Sequence, residues 1–185
     1  MSCRALFEKL PTERGEVSKR ADIIDRAFPN AYCECESVSE FSEGTISGAE
    51  YVHRFVFSPI HIHEGEVLPA LFHDAKDKGL SCERGSSEQA DSPTHERGRQ
   101  QIEGWNASRA EGAISRSYVG SVSASCSVLR ALTMNDNRLL AIYDTALVDN
   151  PHHCDVFEIA GRTRAERKQA RKDIADAFSK VPVDR

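Results

Sequence analysis

The run YVHRFVF, Tyr51 to Phe57, most constrains how this chain of 185 residues can fold. Its β-branched and aromatic residues favour an extended backbone. Alternation sends Tyr51, His53, Phe55 and Phe57 to one side and Val52, Arg54 and Val56 to the other. Ser58-Pro59 breaks or edges the strand, because proline cannot donate to a ladder. Further extended segments are expected at 66–72, 80–84, 117–131, 138–148 and 153–159. In 117–131, Val119, Ser121, Ser123 and Ser125 fall on one side, while the VLRAL end also suits a helix.

Helices are expected at both termini and between the strands. Val17, Ala21, Ile24, Ala27 and Phe28 recur at three- and four-residue steps, and Pro29-Asn30 ends that pattern. Ser92-Pro93 is an N-cap followed by proline at the first helical position, opening a helix toward Ala110. At the C-terminal end, Thr163 and Glu166 form a capping box, and Ala170, Ile174, Phe178 and Val181 make one apolar stripe over about 163–181. The expected fold is one α+β domain spanning 1–185, with a mixed or antiparallel sheet and helices at both termini.

The net charge of −5 excludes a generally basic nucleic-acid coat, so any such contact needs a local patch. No apolar run approaches the roughly 20 residues of a membrane span, and no secretory signal is read at the start; a cytoplasmic protein without membrane contact is expected. That compartment favours free thiols over disulfides for most of Cys3, Cys33, Cys35, Cys82, Cys126 and Cys154. Walker, GxGxxG, GxSxG and kinase signatures are absent, which argues against ordinary nucleotide hydrolases, Rossmann enzymes and α/β-hydrolases. No characterised family is recognised in these residues.

Two histidine clusters carry the candidate chemistry. His61 and His63, two apart in FSPIHIHEGEV, face one way if extended; the competing reading is a polar strand end. His152 and His153 lie in DNPHHCD, and the competing reading there is an exposed Asn-Pro turn. If the clusters converge, His61, His63, His152 and His153 could carry protons while Arg54 and Arg84 hold a phosphoryl group. An ion pair with a nearby carboxylate is the alternative for Arg54. Ser81 and Glu83 alternate with Cys82 and could bind a ligand. Zinc fits histidine and carboxylate ligands, but no HExxH or cysteine quartet supports it, so no cofactor and no metal ligands are assigned. A Cys154 thiol nucleophile is a weaker reading.

The segment 161–172 carries six basic residues and one acidic one. Arg164, Lys168, Arg171 and Lys172 form a ridge that could bind phosphate or an acidic partner, or could simply face water. The acidic stretch Glu34 to Glu50 could be its internal partner. Two functions follow from this reading. The first is a small enzyme acting on RNA or a nucleotide phosphate through a metal-independent His/Arg site. The second is a non-catalytic subunit that binds a protein or nucleic-acid partner through the basic helix. A bacterial toxin or phage-defence component fits either.

Overall fold

The structure is a computed structural model that describes residues 1–13, 15–159, 163–179 and 182. Five strands form an antiparallel sheet: β1 (Tyr51–Ser58), β2 (Leu80–Gly85), β3 (Ser117–Ser125), β4 (Leu140–Tyr143) and β5 (His153–Glu158). Their spatial order is β3-β1-β2-β5-β4. The helices are α1 (Cys3–Phe7), α2 (Arg20–Ala27), α3 (Ser92–Ala107), α4 (Cys126–Ala131) and α5 (Arg164–Ala177). The fold is thus α+β, as expected.

Side-chain parity divides the sheet into two faces. Val52 and Val56 of β1, Leu80 and Cys82 of β2, and Cys154 and Val156 of β5 enter the main core, with Leu71, Phe72, Ala170, Ile174 and Phe178 packed over them. Thr163 and Glu166 do form the capping box that starts α5. Burying Ile174 and Phe178 stabilises the docked helix by about 1.5–3 kcal/mol each. Val181, the last residue of the expected stripe, lies outside the described residues, as do Gly161 and Arg162.

The opposite face has two smaller clusters. Phe55 and Phe57 pack against Ile102, with Trp105 and Tyr118 beside them. Tyr143 and Phe157 pack against Leu6, Ile24 and Val38 on the other flank. Between these flanks lie the polar side chains that share their parity, Ser81 and Glu83 of β2 and His153 and Asp155 of β5. A polar valley therefore crosses the middle of the sheet.

Five details differ from the sequence expectations. Helix α3 is capped by Asp91, whose carboxylate accepts from the Thr94 N–H at 2.8 Å, so Ser92 is its first residue rather than its N-cap and Pro93 its second. Residues 66–72 are not one strand: Glu66–Val67 pairs with Ile62–His63, and Pro69–Lys76 is a 3-10 helix. Pro69 presets the helical backbone, and the spacing of Leu71, Phe72 and Ala75 buries all three. The extended run at 117–131 ends at Ser125, where α4 begins. The strand expected at 138–148 is continuous only over Leu140–Tyr143. Finally, Cys3 and Cys33 form a disulfide where α1 meets the turn at Tyr32–Cys35, while the other four cysteines are free.

The carboxylates at the two ends of the acidic stretch meet the body of the protein rather than α5 in the contacts of the described residues. Glu34 meets Arg130 and Arg138 and accepts from the backbone N–H of Ile142, and Glu50 meets Arg84. No helix among the described residues is long and apolar enough to cross a membrane.

Candidate functional site

The β1–β2 ladder covers only Tyr51↔Gly85, Val52↔Arg84 and His53↔Glu83. By contrast, β1 stays paired with β3 to Ser58↔Ser117, and β2 with β5 to Leu80↔Val156. The two central strands thus part beyond residue 53. Arg54, which leaves β1 on the main-core side, reaches across this wedge to donate from Nη1 to the Ser81 carbonyl at 2.7 Å.

A cleft of about 490 Å³ opens here, lined among others by Arg20, Arg54, Lys78 and Arg116, the carboxylates Asp74 and Asp155, and His61, Ser81 and His153. Four cations face two carboxylates. Both carboxylates are engaged: Asp74 lies 3.2 Å from Lys78 and 3.8 Å from Arg54, and Asp155 accepts from Thr145 Oγ1 at 3.0 Å. The ion pair weighed for Arg54 is therefore present but loose. Its Nε is buried and has no partner among the described residues. Arg116 lies over the Trp105 ring, 3.4 Å from its centroid, and its backbone is fixed at both polar groups by the Asn106 amide.

Gly79 begins this wall at φ +95, a conformation that suits glycine. A Cβ there would also meet the Phe157 ring at 2.6 Å.

His153 is held at both nitrogens. Its Nδ1 is 3.0 Å from the Thr145 carbonyl and 3.0 Å from Thr145 Oγ1, and its Nε2 is 2.9 Å from Ser81 Oγ. A carbonyl can only accept, so Nδ1 carries the proton and Nε2 of the neutral ring accepts from the Ser81 hydroxyl. Thr145 in turn donates to Asp155. The result is a line of bonds from a serine hydroxyl through imidazole and threonine to a carboxylate.

His61 is different. Its Nδ1 accepts from the Phe57 N–H at 3.2 Å, which places the ring proton on Nε2. Burial, with Arg54 and Arg116 nearby, pushes its pKa down to about 4. It is a neutral hydrogen-bond donor rather than a proton carrier at neutral pH.

The other sequence candidates lie elsewhere. His63 is exposed beside Glu64 on the small hairpin. His152 lines a separate recess with Arg84, Arg97, Glu43, Glu50 and Asp91. Arg84 is held there by Glu50 at 2.9 and 3.0 Å and by the Gly44 carbonyl at 2.7 Å, and its side chain is 11% exposed. Glu83 is buried and accepts from Arg97 and Asn150. The expected meeting of four histidines thus reduces to two, His61 and His153, with Arg54 and not Arg84. The parting of β1 from β2 brings the first group together, and internal ion pairing holds the second apart.

The Cys154 thiol is buried in the main core, on the face opposite His153, and burial pushes its pKa well up. It is no nucleophile in this fold. No group of three or more His, Cys, Asp or Glu side chains among the described residues is placed to hold a metal ion.

A second surface lies between the 3-10 helix and α5. His73, Lys76, Arg164, Arg167, Lys168 and Arg171 line a groove of about 870 Å³. Lys172 is exposed on the same helix outside that lining. Sequence reasoning missed His73 and Lys76 here, and missed Arg20, Asp74, Lys78 and Arg116 in the cleft and Thr145 beside His153, while Asp155 belongs to the DNPHHCD cluster it singled out. One signal for the latter was available. GLSCE and HHCDV each place a cysteine between two polar residues, as two neighbouring strands must when one face is core and the other a polar site.

No family model, curated protein or solved structure matches this chain.

Proposed function

We propose that this chain is a small enzyme acting on a phosphoester of RNA or a nucleotide at the cleft between β1 and β2, without a metal. The observation that carries this reading is the joint placement of His61, His153 and Arg54 in one cleft with Arg20, Lys78 and Arg116. Cations that exceed the local carboxylates are suited to the charge of a phosphoryl group, which grows on the oxygens as a bond breaks. The Arg54 guanidinium keeps donors available for it. His153 Nε2 is an acceptor that can take a proton, and His61 Nε2–H can donate to a phosphoryl oxygen.

The test is turnover of single-stranded RNA oligonucleotides and of nucleoside phosphates in the presence of a chelator. Wild-type protein is expected to cleave at least one of them, and Arg54→Met to slow it by about 10²-fold. No turnover across the set would sink the reading.

A second reading is favoured by the basic groove. There the chain is a non-catalytic subunit that holds a nucleic acid or an acidic protein along α5. Arg164, Lys168 and Arg171 form no ion pair with another described residue, which leaves them available to such a partner. Reversal to Arg164→Glu, Lys168→Glu and Arg171→Glu should then release the partner, and the purified chain alone should show no turnover.

A further inference from the structure

We infer that Ser81 is a covalent nucleophile activated by His153. The inference deepens the reading of the cleft as a phosphoester site by naming the group that attacks. Ser81 Oγ is 2.9 Å from His153 Nε2, within the reach a base needs to take a hydroxyl proton. The base is itself oriented: the Thr145 carbonyl fixes its tautomer, and Thr145 Oγ1 links Nδ1–H to the Asp155 carboxylate. Nucleophile, base and orienting group come from adjacent strands and the chain between them, so the sheet holds their spacing. Both Ser81 and His153 line the cleft and are half-buried, so a substrate can reach them.

The chemistry balances without any further reagent than water. A lone pair of Ser81 Oγ forms a bond to phosphorus while the hydroxyl proton passes to His153 Nε2. The bond from phosphorus to the leaving oxygen breaks, and that oxygen keeps the electron pair and takes the proton back from Nε2. The imidazolium formed in between is met by the Thr145 carbonyl and, through the threonine hydroxyl, by Asp155. Water then attacks the phosphoseryl phosphorus and gives its proton to Nε2, and the Oγ–P bond breaks with Oγ keeping the electron pair and taking that proton from Nε2, which restores the serine and the neutral imidazole. Arg54, bonded to the carbonyl of the same residue, stands beside the phosphoryl group. Thr145 is a positioning residue in this scheme.

A fluorophosphonate probe tests the step directly, because attack by serine expels fluoride and leaves a stable adduct. Folded wild-type protein, checked by circular dichroism, is treated with the probe and the adduct is mapped by tandem mass spectrometry. One adduct on Ser81 is expected, lost in Ser81→Ala and slowed about tenfold or more in His153→Ala, with Ser86→Ala labelled as wild type. Thr145→Val should slow labelling and Thr145→Ser restore it, a rescue that a purely structural role would not produce. No adduct, or one at another residue, overturns the inference even if RNA or nucleotide turnover persists, since water would then attack directly. An adduct on Ser81 without phosphoester turnover supports the nucleophile and discards the phosphoester reading instead.

Discussion

Arg84 on β2 meets Glu50 through two nitrogens, gives a third bond to the Gly44 carbonyl and lies 3.9 Å from the buried Asp144. Arg54, on the neighbouring strand β1, has one short bond to the Ser81 carbonyl, a carboxylate at 3.8 Å and a buried Nε without a partner among the described residues. Both arginines come from extended strands and both lie near a histidine of the DNPHHCD turn. The first guanidinium is consumed in tying the loop at 43–50 to the sheet. The second is held by fewer bonds to its surroundings. Residue type and strand setting were thus the same for the two arginines, and the count of committed donors is what separates them.

Removing each guanidinium should give opposite outcomes. Arg84→Ala leaves Glu50 and Asp144 without their cation, and breaking such a shielded pair costs about 4 kcal/mol, read from urea unfolding. Arg54→Met should change stability far less, because Asp74 keeps Lys78. Equal destabilisation by the two variants would erase the distinction.

The histidines sharpen it under acid. His53 is buried between β1 and α3, bonded to Ser123, and burial pushes its pKa down to about 4 from 6.5. Between those values the unfolded chain binds a proton that the folded chain refuses. Stability is therefore present above pH 6.5 and falls as pH drops toward 4, by about 3 kcal/mol for His53. His61 acts in the same direction, also in the window from 6.5 to about 4. Unfolding curves at pH 7.5 and 4.5 check this, and His53→Gln should flatten the dependence. A protein as stable at 4.5 as at 7.5 would show that these rings are not held neutral.

At the cleft, Arg54→Met is expected to lower turnover by about 10²-fold, equivalent to about 2.7 kcal/mol of transition-state stabilisation. The smallest effect belongs to His63. Exposed and 3.9 Å from Glu64, it contributes within about 0.5 kcal/mol, and His63→Ala should leave both stability and turnover unchanged.

Much of the fold was legible because local rules and tertiary packing agree. The Thr163–Glu166 box, the Ala170-Ile174-Phe178 stripe and the Tyr51–Phe57 alternation appear as read, and α3 begins at Ser92-Pro93, but its cap is Asp91 rather than Ser92. Residues 66–72 misled because a short apolar run has no clear period, and Pro69 with Ala75 decided for a helical turn. The Cys3–Cys33 bond was missed because the compartment argument outweighed the pairing of two cysteines 30 residues apart. At the site, residue types were legible and partnerships were not. His61 and His153 were named, yet which arginine would join them depended on where β1 leaves β2. That point is set by long-range pairing, and no spacing along the chain encodes it.

His152 and His153 are adjacent in sequence and lie in different recesses, so replacing each in turn probes the assignment most closely. Turnover of the same phosphoester substrate by wild type, His153→Ala and His152→Ala is compared at equal folded concentration. His153→Ala should lose on the order of 10³-fold while His152→Ala stays within twofold of wild type. Loss confined to His152→Ala, or equal turnover by all three proteins, would contradict the placement of the chemistry in the cleft between β1 and β2.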